Sequence, residues 1–464
     1  MIEKIKSFAN DEKWMEILFT LMILSFPFGS FFLSFSVGFM TIYPYLILVC
    51  LLTFLGFFRA SKIEKGIEKY FLFFLLFFFV YALAFVPFID GKNDAIIDLR
   101  SIALMLLTTY VFISTQKILG FEKWKSTVLF SFKSIFFMLI IFAVFEMISE
   151  FHFAGTFTNH LIDRGLHDII NSSPVFLWDN PNTFNAYLFS IGFVIILLEP
   201  SGKVKNYLKW FILAVCFFFS FIIQSRIGIA LSLFIIAMTI VYELIIYFKN
   251  RPERRAVYYL IFVMFALAFV FVTNEKFYKI PEDKVKVYTN YVLKNPPPVI
   301  ESADPVVSNP VVLDTENNVA ISAPYRNSNS ERKALFLNGV DFIFDSKFLG
   351  VGPGQYRYLH DIGKINHFAY GNNGAHFWFL ELLSQYGIFV FSGYLFLFAW
   401  IKLIALKSRK LNSELTWNIF ISLICFVGVS IMPSGFLVRD INWMFVAILV
   451  IVATNFSSKK SETN

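Results

Sequence analysis

The stretch 70–89, YFLFFLLFFFVYALAFVPFI, holds no charged side chain. Read as an α-helix it is about 30 Å long, the thickness of the hydrocarbon core of a bilayer. Comparable apolar runs occur at roughly 15–35, 39–58, 97–116, 127–149, 182–199, 207–223, 226–247, 256–273, 376–401, 415–432 and 440–456. Runs of this length and number cannot be hidden in ordinary cores, so twelve bilayer-spanning helices are predicted and the fold class is an all-α polytopic membrane protein. The composition agrees: of 464 residues 57% are hydrophobic and only 16% charged, with a mean hydropathy of +0.65. Kinases, nucleic-acid readers and secreted disulfide scaffolds are excluded on that basis. Cys50, Cys216 and Cys425 all fall inside apolar runs and read as packing residues, with no disulfide framework or metal site.

The net charge of +7 acquires meaning once the runs are given a direction. With the amino terminus in the cytoplasm, the basic clusters at 59–69, 117–125, 203–209, 249–255 and 402–410 all face inward. The short outward loops and helix ends then hold only Lys92, Arg100, Arg164, Arg226 and Arg439. This is the asymmetry of the positive-inside rule, and it places both termini in the cytoplasm. The first run has a basic lead but no small-residue cleavage site, so it is read as a retained helix. The chain divides into 1–273, carrying helices one to nine and an external loop at 151–181; a large external loop at 274–374 between helices nine and ten; and 375–464, carrying helices ten to twelve. The large loop opens Pro-rich (295–310) and turns at Ser330–Ser346 into an amphipathic helix. Its acids balance its bases, which leaves no basic patch for nucleic acid.

An arginine on the outer face needs a reason. Arg226 stands in Ser225-Arg226-Ile227-Gly228 where a helix begins, with Ser225 as a candidate N-cap. Free backbone N–H groups, the positive end of the helix dipole and a guanidinium together make a site for phosphate. The bland alternative is an arginine reaching for lipid headgroups. Arg100 and Arg439 share that alternative, each with an aspartate nearby (Asp98, Asp440), and Arg164 lies in the first external loop between His160 and His167. Arg332 opens the amphipathic helix, which is followed by Gly350-Val351-Gly352-Pro353-Gly354, a turn that brings backbone close to something or reverses sharply. Tyr356 and Tyr358 beyond it are candidate platforms for sugar faces. His376 opens helix ten, where an imidazole can take a proton from a sugar hydroxyl or hold a phosphate oxygen. The remaining histidines show no ligand spacing, so neither a metal nor a cofactor is expected.

The order of these features is the distinctive signal: SRxG at a helix start, a long external loop with an arginine, an amphipathic helix, GVGPG, then Ala375-His376 and LELLSQYGI. It resembles the O-antigen ligase and polymerase superfamily, bacterial membrane glycosyltransferases acting on undecaprenyl-diphosphate-linked glycans. The resemblance is most specific between about Phe211 and Ile388, although Phe377 stands where members commonly carry Asn. It implies a GT-C-like arrangement in the bacterial cytoplasmic (inner) membrane, with Arg226, Arg332 and Ser225 binding diphosphate and His376 catalytic or phosphate-positioning. Arg100, Arg164, Arg439, Tyr356 and Tyr358 are further candidates for substrate contact. The implied partners are an undecaprenyl-diphosphate-linked oligosaccharide, a second lipid-linked glycan or a lipid A core acceptor, membrane lipids and a chain-length regulator.

The chemistry agrees with that resemblance. A lipid diphosphate leaves readily once its charge is neutralised, so guanidiniums can take a metal's place, and no Asp-x-Asp motif occurs in the chain. The expected activity is metal-independent, inverting polymerisation of lipid-linked repeat units into O-antigen or capsular polysaccharide. The alternatives are a ligase passing glycan to lipid A core or protein, and a flippase or other transporter. A transporter calls for internal repeats, broken helices and charges deep in the membrane, whereas Lys133, Glu146 and Glu243 lie towards helix ends.

Overall fold

The computed structural model describes residues 11–29, 34–37, 40–59, 67–149, 174, 176–178, 181–199, 203–223, 225–250, 328–367, 374, 377–407, 413–431 and 440–458. Helix α1 (Glu12–Ser25) is followed by a short antiparallel pair, β1 (Phe35–Val37) and β2 (Met40–Ile42), with Phe35 opposite Ile42. Then come α2 (Pro44–Arg59), α3 (Ile67–Phe85), α4 (Lys92–Leu119), α5 (Phe121–Ser149), α6 (Pro181–Leu198), α7 (Lys203–Ile222) and α8 (Arg226–Asn250). Two helices of the large loop follow, α9 (Ser328–Asp345) and α10 (Gln355–Asp361), and then α11 (Trp378–Lys407), α12 (Ser413–Val429) and α13 (Asp440–Ser458).

Every predicted run coincides with a helix except 256–273, which lies outside the described residues, as do the Pro-rich stretch and most of 151–181. Among the described residues six helices are long and apolar enough to cross a membrane, and the apolar stretches Pro44–Phe58, Asn206–Ile222, Ser413–Val429 and Asp440–Asn455 are shorter. The protein is an all-α polytopic membrane protein, with the small β-hairpin as an unexpected addition. Helix α1 is shorter than the run at 15–35 suggested. Asp11 caps its start, accepting from the Lys13 N–H at 2.9 Å, and Pro27 and Gly29 (φ 48°) stop it after Ser25.

The centre of the bundle is set by two helices that are apolar on all sides. Helix α6 is buried from Thr183 to Leu198 and α13 from Ile441 to Ala453, and they pack against each other. Helices α5, α7 and α12 surround α6, while α3, α4 and α11 surround α13. The outer helices are apolar on their exposed faces. On α3 the stripe Phe73, Phe77 and Val80, at helical spacing, is about half exposed. Each such half-exposed side chain left in water would forfeit roughly 1 kcal/mol, so the stripe favours contact with lipid. Three ion pairs join ionisable groups on these helices: Lys209 with Glu243 at 2.8 Å, Lys117 with Glu68 at 2.8 Å and Lys133 with Glu199 at 2.6 Å. Buried Glu146 accepts from the Phe176 N–H at 2.8 Å.

The predicted run 376–401 is not one straight helix. At Gly387 (φ 72°, ψ −173°) the chain of α11 leaves helical geometry, and the short arm 378–386 folds back beside the long arm 388–407. The Trp378 ring lies 5.0 Å from Tyr394 and 5.9 Å from Phe398, and Phe379 lies 6.0 Å from Phe391. In a straight helix Trp378 and Phe398 would be about 30 Å apart. The backbone at Gly387 is in a region essentially reserved for glycine, so the reversal is fixed by that residue. The long arm alone still has the ~20 residues that a bilayer requires.

Candidate anion site and the loop clamp that frames it

The start of α8 is built by its four-residue signature. Ser225 is buried and caps the helix: its Oγ accepts from the Gly228 N–H at 3.3 Å, and its carbonyl accepts from the Ile229 N–H at 2.8 Å. Its own N–H donates to the Ser220 carbonyl at 2.9 Å, tying α8 to the end of α7. Gly228 is the point of closest approach to α6 and α7. A Cβ there would stand 2.4 Å from Asn185 Nδ2 and 2.6 Å from Ser220 Oγ, which are themselves hydrogen-bonded at 3.0 Å. Serine and glycine thus seat the helix, and the exposed Arg226 projects from its first turn.

The second arginine arrives from more than a hundred positions along the chain. Arg332 lies in the first half of α9, half-buried, and is pushed below its ordinary value first by burial and then by the like charge of Arg226. That repulsion is a report of proximity. Among the described residues neither guanidinium forms an ion pair with an acid. Two cations held near one another, one of them partly withdrawn from water, at a helix amino terminus form an arrangement that an anion stabilises.

Arg332 is held by the packing of α9. One face lies on the short arm of α11, where Gly339 is so close to Leu380 that a Cβ would come within 2.7 Å of its side chain. The other face meets α10 and the turn after it. Tyr356 donates its hydroxyl to the Leu335 carbonyl and stacks on His360 at 5.1 Å. Asn338 exchanges hydrogen bonds with the His367 backbone at 2.6 and 2.9 Å.

The GVGPG turn is what fastens this unit to the bundle. Val351 and Gly352 donate to the carbonyls of Ser384 and Gln385, both at 2.9 Å, and Ile388 donates to the Phe348 carbonyl at 2.8 Å. These bonds satisfy backbone groups that the reversal at Gly387 frees. Gly354 (φ 69°) runs directly over α4: a Cβ would fall 2.3 Å from the Asp94 carbonyl carbon. Its N–H donates to Asp98 Oδ2 at 2.8 Å, and the Tyr386 hydroxyl donates to the same oxygen at 3.0 Å. Arg357 adds an ion pair to Asp94 at 3.3 Å, and the Tyr81 hydroxyl donates to the Leu349 carbonyl at 2.8 Å.

Of the residues singled out from sequence, Arg226, Ser225 and Arg332 are brought together, and Ser225 acts as the N-cap. Arg100 is exposed on α4 and stands elsewhere: it and Asp440 act on the Tyr43 phenol, which burial and Asp440 push up and Arg100 pulls down. Asp98 is not its partner, because that carboxylate turns inward to Gly354 and Tyr386. Tyr356 is 2% exposed, so its ring and hydroxyl are taken up by the packing of the loop unit and offer no open face to a sugar. Tyr358 is half-buried against Gly91. His376, Arg164 and Arg439 lie outside the described residues. Among the described residues no three His, Cys, Asp or Glu side chains come together as a metal site. Sequence reasoning set Asp98 beside Arg100, not Gly354 and Tyr386, and missed the hinge at Gly387. The hinge had a signal, a glycine inside an apolar helical run.

Residues 211–395 match the family model described as O-antigen ligase. This stretch is similar to the O-antigen ligase family. The match begins within α7 and ends just past the Gly387 hinge, so it takes in both arginines and the GVGPG clamp. The chain is also 32% identical over 137 residues to the teichuronic acid biosynthesis protein TuaE of Bacillus subtilis (strain 168). That alignment covers 28% of this chain and 27% of the relative, so the chain matches only about a quarter of that relative's length. Within the matched stretch, Ser225 and Gly228 fix the helix that bears one arginine, and the clamp fixes the helix that bears the other.

Proposed function

We propose that the protein is a membrane glycosyltransferase that polymerises undecaprenyl-diphosphate-linked oligosaccharide repeat units on the outer face of the bacterial cytoplasmic membrane. The observation that carries the proposal is the pairing of Arg226 and Arg332, two mutually repelling guanidiniums without an acidic partner among the described residues. In the proposed reaction both arginines bind the diphosphate of the donor. An acceptor sugar hydroxyl attacks the anomeric carbon from the face opposite the diphosphate. The new glycosidic C–O bond forms as the bond to the diphosphate oxygen breaks, with inversion, and the hydroxyl proton passes to His376. The arginines stabilise the negative charge that grows on the leaving diphosphate, the task a metal ion performs elsewhere. The topology predicted from the sequence, twelve spans with cytoplasmic termini and an external loop at 274–374, is the support for the outer-face assignment.

The family description favours a second reading, a ligase passing the glycan to a different acceptor, while the similarity to a polysaccharide-biosynthesis protein fits either. The transporter reading loses ground on two observations. Lys133, Glu243 and Glu146 are engaged in close contacts, and the broken helix of α11 spends its freed backbone groups on the GVGPG clamp, so they do not line a pathway. The test is mass spectrometry of products from the purified protein and an undecaprenyl-diphosphate oligosaccharide. Lengthened lipid-linked glycan with released undecaprenyl diphosphate, absent in Arg226→Ala, is the expected result. Product only after a lipid A core or protein acceptor is added makes the enzyme a ligase; no product with any acceptor overturns the proposal.

A further inference from the structure

A groove of about 480 Å³ lies between α2 and α3, both of which pack on α4. Leu106, Leu107 and Tyr110 of α4 form its floor, and the exposed rings of Phe57 and Phe73 stand on its two sides. Along α3 it reaches from Lys69 to Leu76, about 10 Å. Helix α2 ends at Arg59 and α3 begins at Ile67, so Lys69 stands at the end of the bundle that the positive-inside rule predicts for the cytoplasm. Neither Arg226 nor Arg332 belongs to these helices, and the groove is independent of the anion site.

The groove is apolar apart from three side chains, and among the described residues none of the three has a hydrogen-bonding or acidic partner for its polar tip. Lys69 is exposed with no carboxylate to pair with, because its neighbour Glu68 turns to Lys117 at 2.8 Å. Its ammonium lies 5.6 Å from the centre of the Phe73 ring, at the wall of the groove. Thr53 is 9% exposed and its hydroxyl is unpartnered, as is that of Tyr110. A hydroxyl in apolar surroundings calls for an acceptor, and an unpaired ammonium for an anion. A ligand that answers all three has a negative head, acceptor oxygens just below it and a hydrocarbon chain. We propose that the groove binds an acidic phospholipid of the cytoplasmic leaflet, with its phosphate on Lys69, its glycerol ester oxygens towards Thr53 and Tyr110, and an acyl chain along Leu107 and Leu76. Among the described residues no acid lines the groove to hold the amine of a zwitterionic head, so the charge selects an acidic one.

The test is native mass spectrometry of the full chain in detergent, with phosphatidylglycerol and phosphatidylcholine of matched acyl chains as the two probes and the affinity of the first bound lipid as the readout. Wild type is expected to bind phosphatidylglycerol about fivefold more tightly, the contribution of one lysine near a membrane surface. Lys69→Gln, at an exposed position that leaves the bundle core untouched, should remove that preference. Lys407→Gln, at an exposed position on α11 away from the groove, should leave it intact. Leu76→Trp, from an exposed position, and Leu107→Trp, from the floor, should weaken both lipids by occupying the path of the acyl chain. Thr53→Val should also weaken both, since ester oxygens are common to the two. Equal affinities in wild type, or a preference that survives Lys69→Gln, overturns the assignment of an acidic head. Full affinity for both lipids in both tryptophan variants overturns the groove, leaving Lys69 as a surface charge only. Unchanged binding in Thr53→Val overturns the ester contact.

Discussion

Replacing Gly387 by alanine should disconnect the unit formed by α9, α10 and the GVGPG turn from the bundle. The residue sits at φ 72° and ψ −173°, where a non-glycine residue costs roughly 1–3 kcal/mol. The added Cβ would also lie 2.3 Å from the Leu349 carbonyl oxygen and 2.6 Å from that of Phe348, both backbone atoms that cannot rotate away. Relief requires the 348–352 segment to move, which breaks or stretches its hydrogen bonds to Ser384, Gln385 and Ile388, each worth about 0.5–1.5 kcal/mol net. Together these effects weaken docking of the clamp by roughly 2–4 kcal/mol, about a 30- to 1000-fold shift towards the undocked loop. Hydrogen exchange at residues 328–361 reads that shift directly, and transfer activity should fall with it as Arg332 loses its fixed position. Gly387→Ala protein with native protection of these amides and full activity would refute the reasoning, since hinge, clamp and arginine could not then be coupled.

Three further outcomes follow from the same geometry. Gly228→Ala overpacks the contact with Asn185 and Ser220 and should cost about 1–3 kcal/mol, read as a lower melting temperature, with partial recovery in Gly228→Ala/Asn185→Ala. Asp98→Ala strands the Gly354 N–H and the Tyr386 hydroxyl, at roughly 1–3 kcal/mol for each buried group; a thermal melt that matches wild type would show the carboxylate to be dispensable. Burial holds His360 below its ordinary 6.5, with Asp361 opposing, so the undocked loop binds the proton more readily than the docked one. The contribution of His360 to docking is therefore complete above 6.5 and is lost as the pH falls through the folded-state value, and exchange protection in α9 and α10 should drop on acidification. His360→Phe should flatten that dependence; an equally steep fall in the variant would assign the effect to another group.

The spans were legible because hydropathy over twenty residues is a large signal and the bilayer tolerates little else. What hydropathy does not carry is direction. Both arms of α11 are apolar, so 376–401 read as one helix, and only the backbone requirement at Gly387 reveals the fold-back. The start of α1 was located well but its end was not, because Pro27 and Gly29 lie within apolar sequence that continues to Phe35. At the site, Arg226 stands out because the positive-inside rule predicts it to face outward, where an arginine costs topology energy, and because Ser225 and Gly228 flank it. Arg332 looked like one charge among many in a balanced loop, and resemblance rather than spacing marked it. Asp98 was misjudged for a physical reason: two positions from Arg100 on a helix, it points elsewhere, and its partners come from residues 354 and 386. Tyr356 was assigned to sugar for its chemistry, but burial decides whether such a ring is free.

The central claim is that Arg226 and Arg332 act as one diphosphate site. Its most direct test is a double-mutant cycle on equilibrium binding of undecaprenyl diphosphate to wild type, Arg226→Ala, Arg332→Ala and the double variant. The account predicts that each single variant weakens binding substantially and that the double variant loses less than the sum of the two, the mark of side chains sharing one ligand. Strictly additive losses, or a single variant that binds as wild type does, would contradict it.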